Sequence, residues 1–104
     1  MPETWPKAVG PPKELTLNGC VFPWKDGQPV LLRPAGADAN HIPVFSTVEK
    51  LEALMGRIGV DYEKIKKIDD QWEFLSSIPY STPIMLDPYI TEKGMFRWQR
   101  VLRD

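Results

Sequence analysis

The most regular hydrophobic pattern in the chain begins after Ser46 and continues for about three helical turns. Apolar residues recur there at helical spacing: Val48, Leu51, Leu54, Met55 and Ile58. Polar residues occupy most of the positions between them, which is typical of a helix with one buried face. Ser46-Thr47-Val48-Glu49 matches a capping box in which Ser46 is the N-cap residue. The pattern therefore predicts a helix over residues 47–57, ended by Gly59, with its apolar stripe in the core.

A β-hairpin is predicted before this helix. The stretch 17–25 carries several apolar residues and leads into Asp26-Gly27, one of the strongest short-range turn signals. Val30-Leu31-Leu32 then supplies the second strand. Pro23 and Pro29 fit poorly inside a hydrogen-bonded ladder, so we expect the hairpin to lie at a sheet edge.

Residues 61–78 allow two interpretations. One set of apolar residues is spaced as on a single long amphipathic helix: Tyr62, Ile65, Ile68, Trp72 and Leu75. Asp69-Asp70, however, is a good N-cap pair for a separate short helix. This second interpretation makes 63–68 a strand and 70–78 a helix. Periodicity alone does not decide between the two.

Three further strands are predicted over residues 41–45, 84–86 and 95–102. Residues 87–94 form the connection between the last two of these strands. Alternation along the final strand places Phe96, Trp98 and Leu102 on one face and Arg97, Gln99 and Arg103 on the other. Arg100 falls on the apolar face, so this strand combines aromatic and basic side chains.

Proline is concentrated at the start of the chain, where four of the 11 prolines lie within the first twelve residues. Proline supplies no backbone donor and pushes the preceding residue toward extended geometry. Residues 1–14 therefore predict an extended arm, and residues 15–104 predict a single small α+β domain. We expect a mixed, mostly antiparallel sheet with an edge hairpin and two helices packed on it.

Composition and charge exclude several classes of protein. The 104 residues are 26% charged and 42% hydrophobic, values that exclude collagen-like, disulfide-scaffold and wholly disordered chains. No apolar stretch approaches the roughly 18 residues of a membrane helix, and the first residues lack the pattern of a signal peptide. We therefore expect no membrane partner. A net charge of −1 disfavours a broad phosphate-binding surface and hence nucleic acid.

Candidate chemistry is sparse in this sequence. The single cysteine, Cys20, excludes an internal disulfide and a two-cysteine metal knuckle, and the single histidine, His41, excludes paired-histidine metal sites. We predict no metal, no cofactor and no catalytic activity. A lone cysteine fits a reducing compartment, which indicates the cytoplasm. The alternative is a small enzyme or ligand-binding protein that uses Cys20, His41 and Asp38.

Aromatic residues are numerous for so short a chain, with four tryptophans, and Phe96 and Trp98 flank Arg97. Tryptophan, tyrosine and arginine are enriched in protein interfaces. We therefore predict a protein-binding or regulatory role whose partner is another protein. The candidate contact residues are Trp5, Trp24, Tyr89, Arg97, Trp98 and Arg100. An exposed edge hairpin would also allow a homodimer, although proline at an edge opposes strand pairing.

Two motifs resemble the N-terminal domain of the SseB-like family of small bacterial proteins. Pro43-Val44-Phe45-Ser46 matches a strand that runs into a capped helix, and Ile84-Met85-Leu86-Asp87-Pro88 matches an apolar strand that usually ends in Asn-Pro. Asp87 replaces the usual asparagine, and both residue types serve turns. The likeness covers about residues 18–102. It implies an α+β sheet domain, favours the strand-plus-helix interpretation of 61–78, and implies a non-catalytic protein with no active-site residue to transfer.

Overall fold

Residues 17–101 are described by a computed structural model, in which they form two helices and two three-stranded sheets. The elements in chain order are β1 (Val21–Lys25), β2 (Gln28–Pro29), β3 (Ile42–Val44), α1 (Val48–Ile58), β4 (Lys64–Lys67), α2 (Gln71–Ser76), β5 (Ile84–Ile90) and β6 (Phe96–Arg100). The first sheet has the order β2-β1-β4 and the second β3-β5-β6. Only the β3–β5 pair is parallel, so the predicted α+β class with mostly antiparallel strands is confirmed.

The predicted hairpin is formed by β1 and β2. Both turn residues have positive φ, 57° at Asp26 and 78° at Gly27, as the two-residue turn of a tight hairpin requires. β2 lies at the edge of its sheet. Pro29 has no N–H to donate, and at an edge this does not interrupt the pairing of a strand with two neighbours. The assignment of Val30-Leu31-Leu32 to the second strand is wrong, because β2 ends at Pro29 and Leu32 makes only an isolated bridge with His41.

Helix α1 begins one residue later than the sequence predicts. Its N-cap is Thr47, whose hydroxyl accepts a hydrogen bond from the backbone N–H of Lys50 at 3.2 Å. The third helical residue is therefore Lys50 and not Glu49, so the capping-box assignment with Ser46 as the N-cap is wrong. Gly59 ends the helix in the left-handed conformation, with φ of 71°, as predicted.

The strand-plus-helix interpretation of residues 61–78 is confirmed. β4 pairs antiparallel with β1, which a continuous helix over this segment would not allow. Helix α2 begins after Asp70, whose carboxylate accepts hydrogen bonds from the backbone N–H groups of Trp72 and Glu73. This capping explains why the amphipathic pattern does not become one long helix.

Strand β5 is longer than predicted and includes Asp87-Pro88-Tyr89-Ile90, which the sequence assigns to a connection. Leu86 pairs with Gln99 and Tyr89 pairs with Arg97, so Asp87 and Pro88 together face the single intervening residue of β6. This two-against-one arrangement is a β-bulge. A bulge lets the strand pass through Pro88, which has no N–H for the ladder.

The core lies on both faces of the second sheet. Ile84 and Leu86 pack into one apolar cluster, whereas Met85 packs into the other, against Leu51 and Met55 of α1. A bridge between Val21 and Phe45 joins the two sheets. Helix α1 is thereby placed over the second sheet, next to β5. Among the helices described, none is long and apolar enough to cross a membrane.

Candidate functional site

An open groove of about 670 Å³ lies between α1 and the hairpin formed by β5 and β6. We call it the α1–hairpin groove. The helix contributes Lys50, Ala53, Leu54 and Arg57, whose spacing places them on one helix face. The hairpin contributes residues on both sides of the bulge, including Asp87, Tyr89, Ile90, Arg97 and Trp98. Its volume is within the range of sites that bind small molecules or peptide side chains.

Asp87 connects the two walls of the α1–hairpin groove. Its carboxylate accepts hydrogen bonds from the backbone N–H of Ser46 at 2.8 Å and from the Ser46 hydroxyl at 2.9 Å. Lys50 Nζ lies 3.4 Å from the same carboxylate. The backbone of Asp87 is left-handed, with φ of 50°, a conformation that aspartate adopts more readily than most residues. The bulge thus directs the side chain of Asp87 toward the start of α1.

Trp98 is the β6 residue opposite the bulge, and it is held by two neighbouring rings. The centroid of its indole lies 5.6 Å from that of His41, in an edge-to-face arrangement, and 5.5 Å from that of Phe96. The edge-to-face arrangement with His41 is one of the preferred geometries of ring pairs. Trp98 is half-buried and lines the groove, so its ring is already oriented before any ligand arrives.

The charges in the groove are predominantly positive. Lys50 is paired with Asp87, the only carboxylate in the lining. Arg57 and Arg97 are both exposed, and neither has a carboxylate partner within residues 17–101. Arg97 donates only a weak hydrogen bond, to the sulfur of Met95 at 3.6 Å. Each wall of the groove therefore contributes one arginine that has no carboxylate partner within residues 17–101, Arg57 from α1 and Arg97 from β6.

The structure brings together three of the six predicted contact residues. Tyr89, Arg97 and Trp98 all line the α1–hairpin groove. Arg100 follows on the same strand, exposed and opposite Met85, but lies outside the lining. Trp5 lies outside the described residues, together with the predicted arm over residues 1–14.

Trp24 lies apart from this groove, on β1 of the other sheet. Its ring makes an edge contact with Phe22, with centroids 6.2 Å apart. Lys66 Nζ lies over the indole, 3.9 Å from the ring centroid. These contacts are within the chain and indicate a stabilising role. The edge strand β2 of the same sheet has two residues and ends in proline, features that oppose strand pairing, and the homodimer stays a prediction.

In the structure, the alternative set of Cys20, His41 and Asp38 makes few of the contacts that a catalytic or ligand-binding site needs. Cys20 is buried, and burial raises the pKa of its thiol, with a further upward contribution from the charge of Asp87. Both effects disfavour the reactive thiolate. His41 Nδ1 lies 3.0 Å from the carbonyl oxygen of Ala39. No hydrogen bond within residues 17–101 links the three residues, and no cluster of potential metal ligands is found in that range.

Lys50 and Arg57 were not among the residues predicted for the site. On the sequence they are polar positions of an amphipathic helix, although their separation of seven residues places them on one face. Two exposed aromatic residues were also missed, Trp72 at 70% and Tyr80 at 73% exposure. Trp72 belongs to the apolar pattern of residues 61–78, which predicts a buried side chain. In α2 it is Phe74 and Leu75 that pack against the core, and Trp72 lies on the exposed side of this short helix.

Comparison of the chain with protein-family models, curated proteins and solved structures gives no match. The resemblance to the SseB-like family therefore stays a prediction. Any functional conclusion has to be argued from the groove itself.

Proposed function

We propose that this chain is a non-catalytic, cytoplasmic protein of the SseB-like type that binds another protein through the α1–hairpin groove. The observation that carries the proposal is that Tyr89, Trp98 and two arginines without a carboxylate partner in residues 17–101 all line one open groove. Tyrosine, tryptophan and arginine are the residues most enriched among interface hot spots. Their occurrence together on one surface supports recognition of a partner.

Preorganisation of the groove supports the same conclusion. Trp98 is oriented by His41 and Phe96, so ordering this side chain on binding costs little entropy. The hydrogen bonds between Asp87 and Ser46 hold the start of α1 against the bulge. A surface whose anchoring groups are already placed loses less free energy when a partner binds.

Exposure of the aromatic residues supports a protein contact. Tyr89 is 55% exposed, although it lies on a strand whose other residues are mostly buried. Below the charged rim, Leu54 and Ile90 give the groove apolar lining. An apolar centre with a polar, charged rim is the usual anatomy of a protein interface.

Affinity capture from a bacterial lysate tests this proposal when three variants are compared. We expect one stoichiometric protein to be recovered by the unmodified chain and to be lost with Trp98→Ala and with Arg97→Glu. Trp72→Ala is the matched control, since it removes an exposed tryptophan outside the groove. Recovery of the same protein by all four forms would contradict the placement of the interface.

A further inference from the structure

We infer that the α1–hairpin groove takes an acidic peptide segment of the partner. Carboxylate side chains of the segment pair with Arg57 and Arg97, and an apolar side chain packs against Trp98. This inference rests on the proposed function and adds the chemistry of the partner to it.

The local charge of the groove differs from that of the whole chain. The protein has a net charge of −1, yet the groove is lined by three basic side chains and one acidic side chain. The carboxylate of Asp87 is already engaged by Ser46 and Lys50. The charge available to a ligand is therefore that of Arg57 and Arg97. Such a positive patch attracts an acidic partner and disfavours a basic one.

The two arginines of the groove are of a residue type that suits carboxylates. Arg57 lies in the last turn of α1 and Arg97 lies on β6, so each wall of the groove contributes one arginine. Guanidinium groups bind carboxylates with two parallel hydrogen bonds, which fixes the orientation of the ligand as well as its charge. A chain lying in the groove would meet one arginine on either side.

The apolar lining favours a peptide over a nucleic acid. Leu54, Ile90 and Trp98 add apolar and aromatic surface to the lining that contains the two arginines. A peptide with acidic and apolar side chains matches both kinds of lining. Single-stranded nucleic acid is bound by grooves with a continuous row of basic groups, whereas this groove offers two arginines beyond the Lys50–Asp87 pair.

Selection of short random peptides displayed on phage, with the full chain as bait, tests the inference without a known partner. We expect the selected peptides to be rich in aspartate and glutamate next to an apolar residue. Synthetic, fluorescently labelled copies should bind about threefold to tenfold more weakly to Arg57→Gln and to Arg97→Gln. Arg33→Gln, which removes an arginine outside the groove, should bind as tightly as the unmodified chain.

Each other outcome has a distinct meaning. Neutral or basic peptides that bind the unmodified chain but not Trp98→Ala would overturn the acidic partner and leave the proposed function standing. Peptides that bind Trp98→Ala as tightly as the unmodified chain, or a selection that enriches none, would count against the groove as a protein-binding site. Tighter binding of a labelled single-stranded DNA, weakened by Arg57→Gln, would assign the groove to nucleic acid instead.

Discussion

The carboxylate of Asp87 accepts two hydrogen bonds from Ser46, one from its backbone N–H at 2.8 Å and one from its hydroxyl at 2.9 Å. The two residues are 41 positions apart in the sequence. Their contact ties the bulge of β5 to the residue before the N-cap of α1. Because the α1–hairpin groove has α1 on one side and β5–β6 on the other, the contact holds its two walls together.

Replacing Asp87 should lower stability. Asp87→Ala removes both hydrogen bonds with Ser46 and puts alanine in a left-handed conformation, so we expect the free energy of unfolding to fall by about 1–3 kcal/mol. Asp87→Asn is the matched control, because asparagine tolerates the left-handed region and keeps one acceptor oxygen; its loss should be below about 1 kcal/mol. Urea denaturation measures both values. Equal midpoints for Asp87→Ala and the unmodified chain would show that the contact contributes nothing.

The assignment of Thr47 as the N-cap makes a separate prediction. Thr47→Ala removes the oxygen that accepts from the N–H of Lys50, which should cost about 1 kcal/mol of unfolding free energy. Thr47→Ser keeps this oxygen and should cost less than about 0.5 kcal/mol. Chemical denaturation of the two variants checks the cap. If serine were as destabilising as alanine, the hydroxyl would not be what stabilises the helix start.

Local signals in the sequence were sufficient for most of the fold. Asp26-Gly27 predicts the hairpin because few other dipeptides adopt positive φ twice, and Asp70 predicts the start of α2 through its side-chain hydrogen bonds. The start of α1 was placed one residue too early because Ser46 and Thr47 are both good N-caps. What decides between them is the carboxylate of Asp87, which accepts a hydrogen bond from the Ser46 hydroxyl. No local pattern in the sequence reveals this contact.

The candidate site was only partly predictable. Arg97 and Trp98 were found from the mixture of aromatic and basic residues on one strand, and Tyr89 from the large number of aromatic residues in the chain. Arg57 was missed because only the tertiary packing of α1 against the hairpin brings it to the same groove as Arg97. The extension of β5 was missed because proline usually excludes a residue from a strand, and a bulge removes that restriction here.

The buried thiol of Cys20 should make stability depend on alkaline pH. Burial raises the pKa of Cys20 in the folded state, and the charge of Asp87 raises it further. Because the folded state favours the protonated thiol, Cys20 adds to the free energy of unfolding. This added stability is complete below the ordinary thiol pKa of about 8.5 and is lost as the pH rises through the pKa of the folded state. Unfolding free energies of the unmodified chain, measured under reducing conditions from neutral to alkaline pH, should fall more steeply than those of Cys20→Ala. Parallel curves would mean that the thiol ionises as freely in the folded chain as in the unfolded one.

Native Cys20 should also react slowly with a thiol reagent at neutral pH. The side chain is 7% exposed, and only a thiolate reacts rapidly. We expect labelling to become fast only after denaturation. Rapid, stoichiometric labelling of the folded protein would instead favour the alternative in which Cys20 acts as a nucleophile.

We expect Trp24 to contribute to the stability of the fold and not to the affinity for the partner. Trp24→Ala removes the ring that lies under Lys66 and against Phe22, so we expect a loss of about 1–3 kcal/mol in unfolding free energy. Trp24→Phe keeps an aromatic ring and should lose less. Captured partner should bind Trp24→Phe with unchanged affinity in a titration. A large loss of affinity would extend the interface to the first sheet.

The most direct test of the proposed interface is hydrogen–deuterium exchange of the chain with and without its captured partner. The account predicts slower exchange on binding in α1 around residues 50–57 and in the hairpin over residues 86–90 and 97–99. The edge strands β2 and β4 of the first sheet should exchange at the same rate in both states. Protection confined to β2, β4 or the exposed aromatic residues Trp72 and Tyr80 would contradict binding through the α1–hairpin groove.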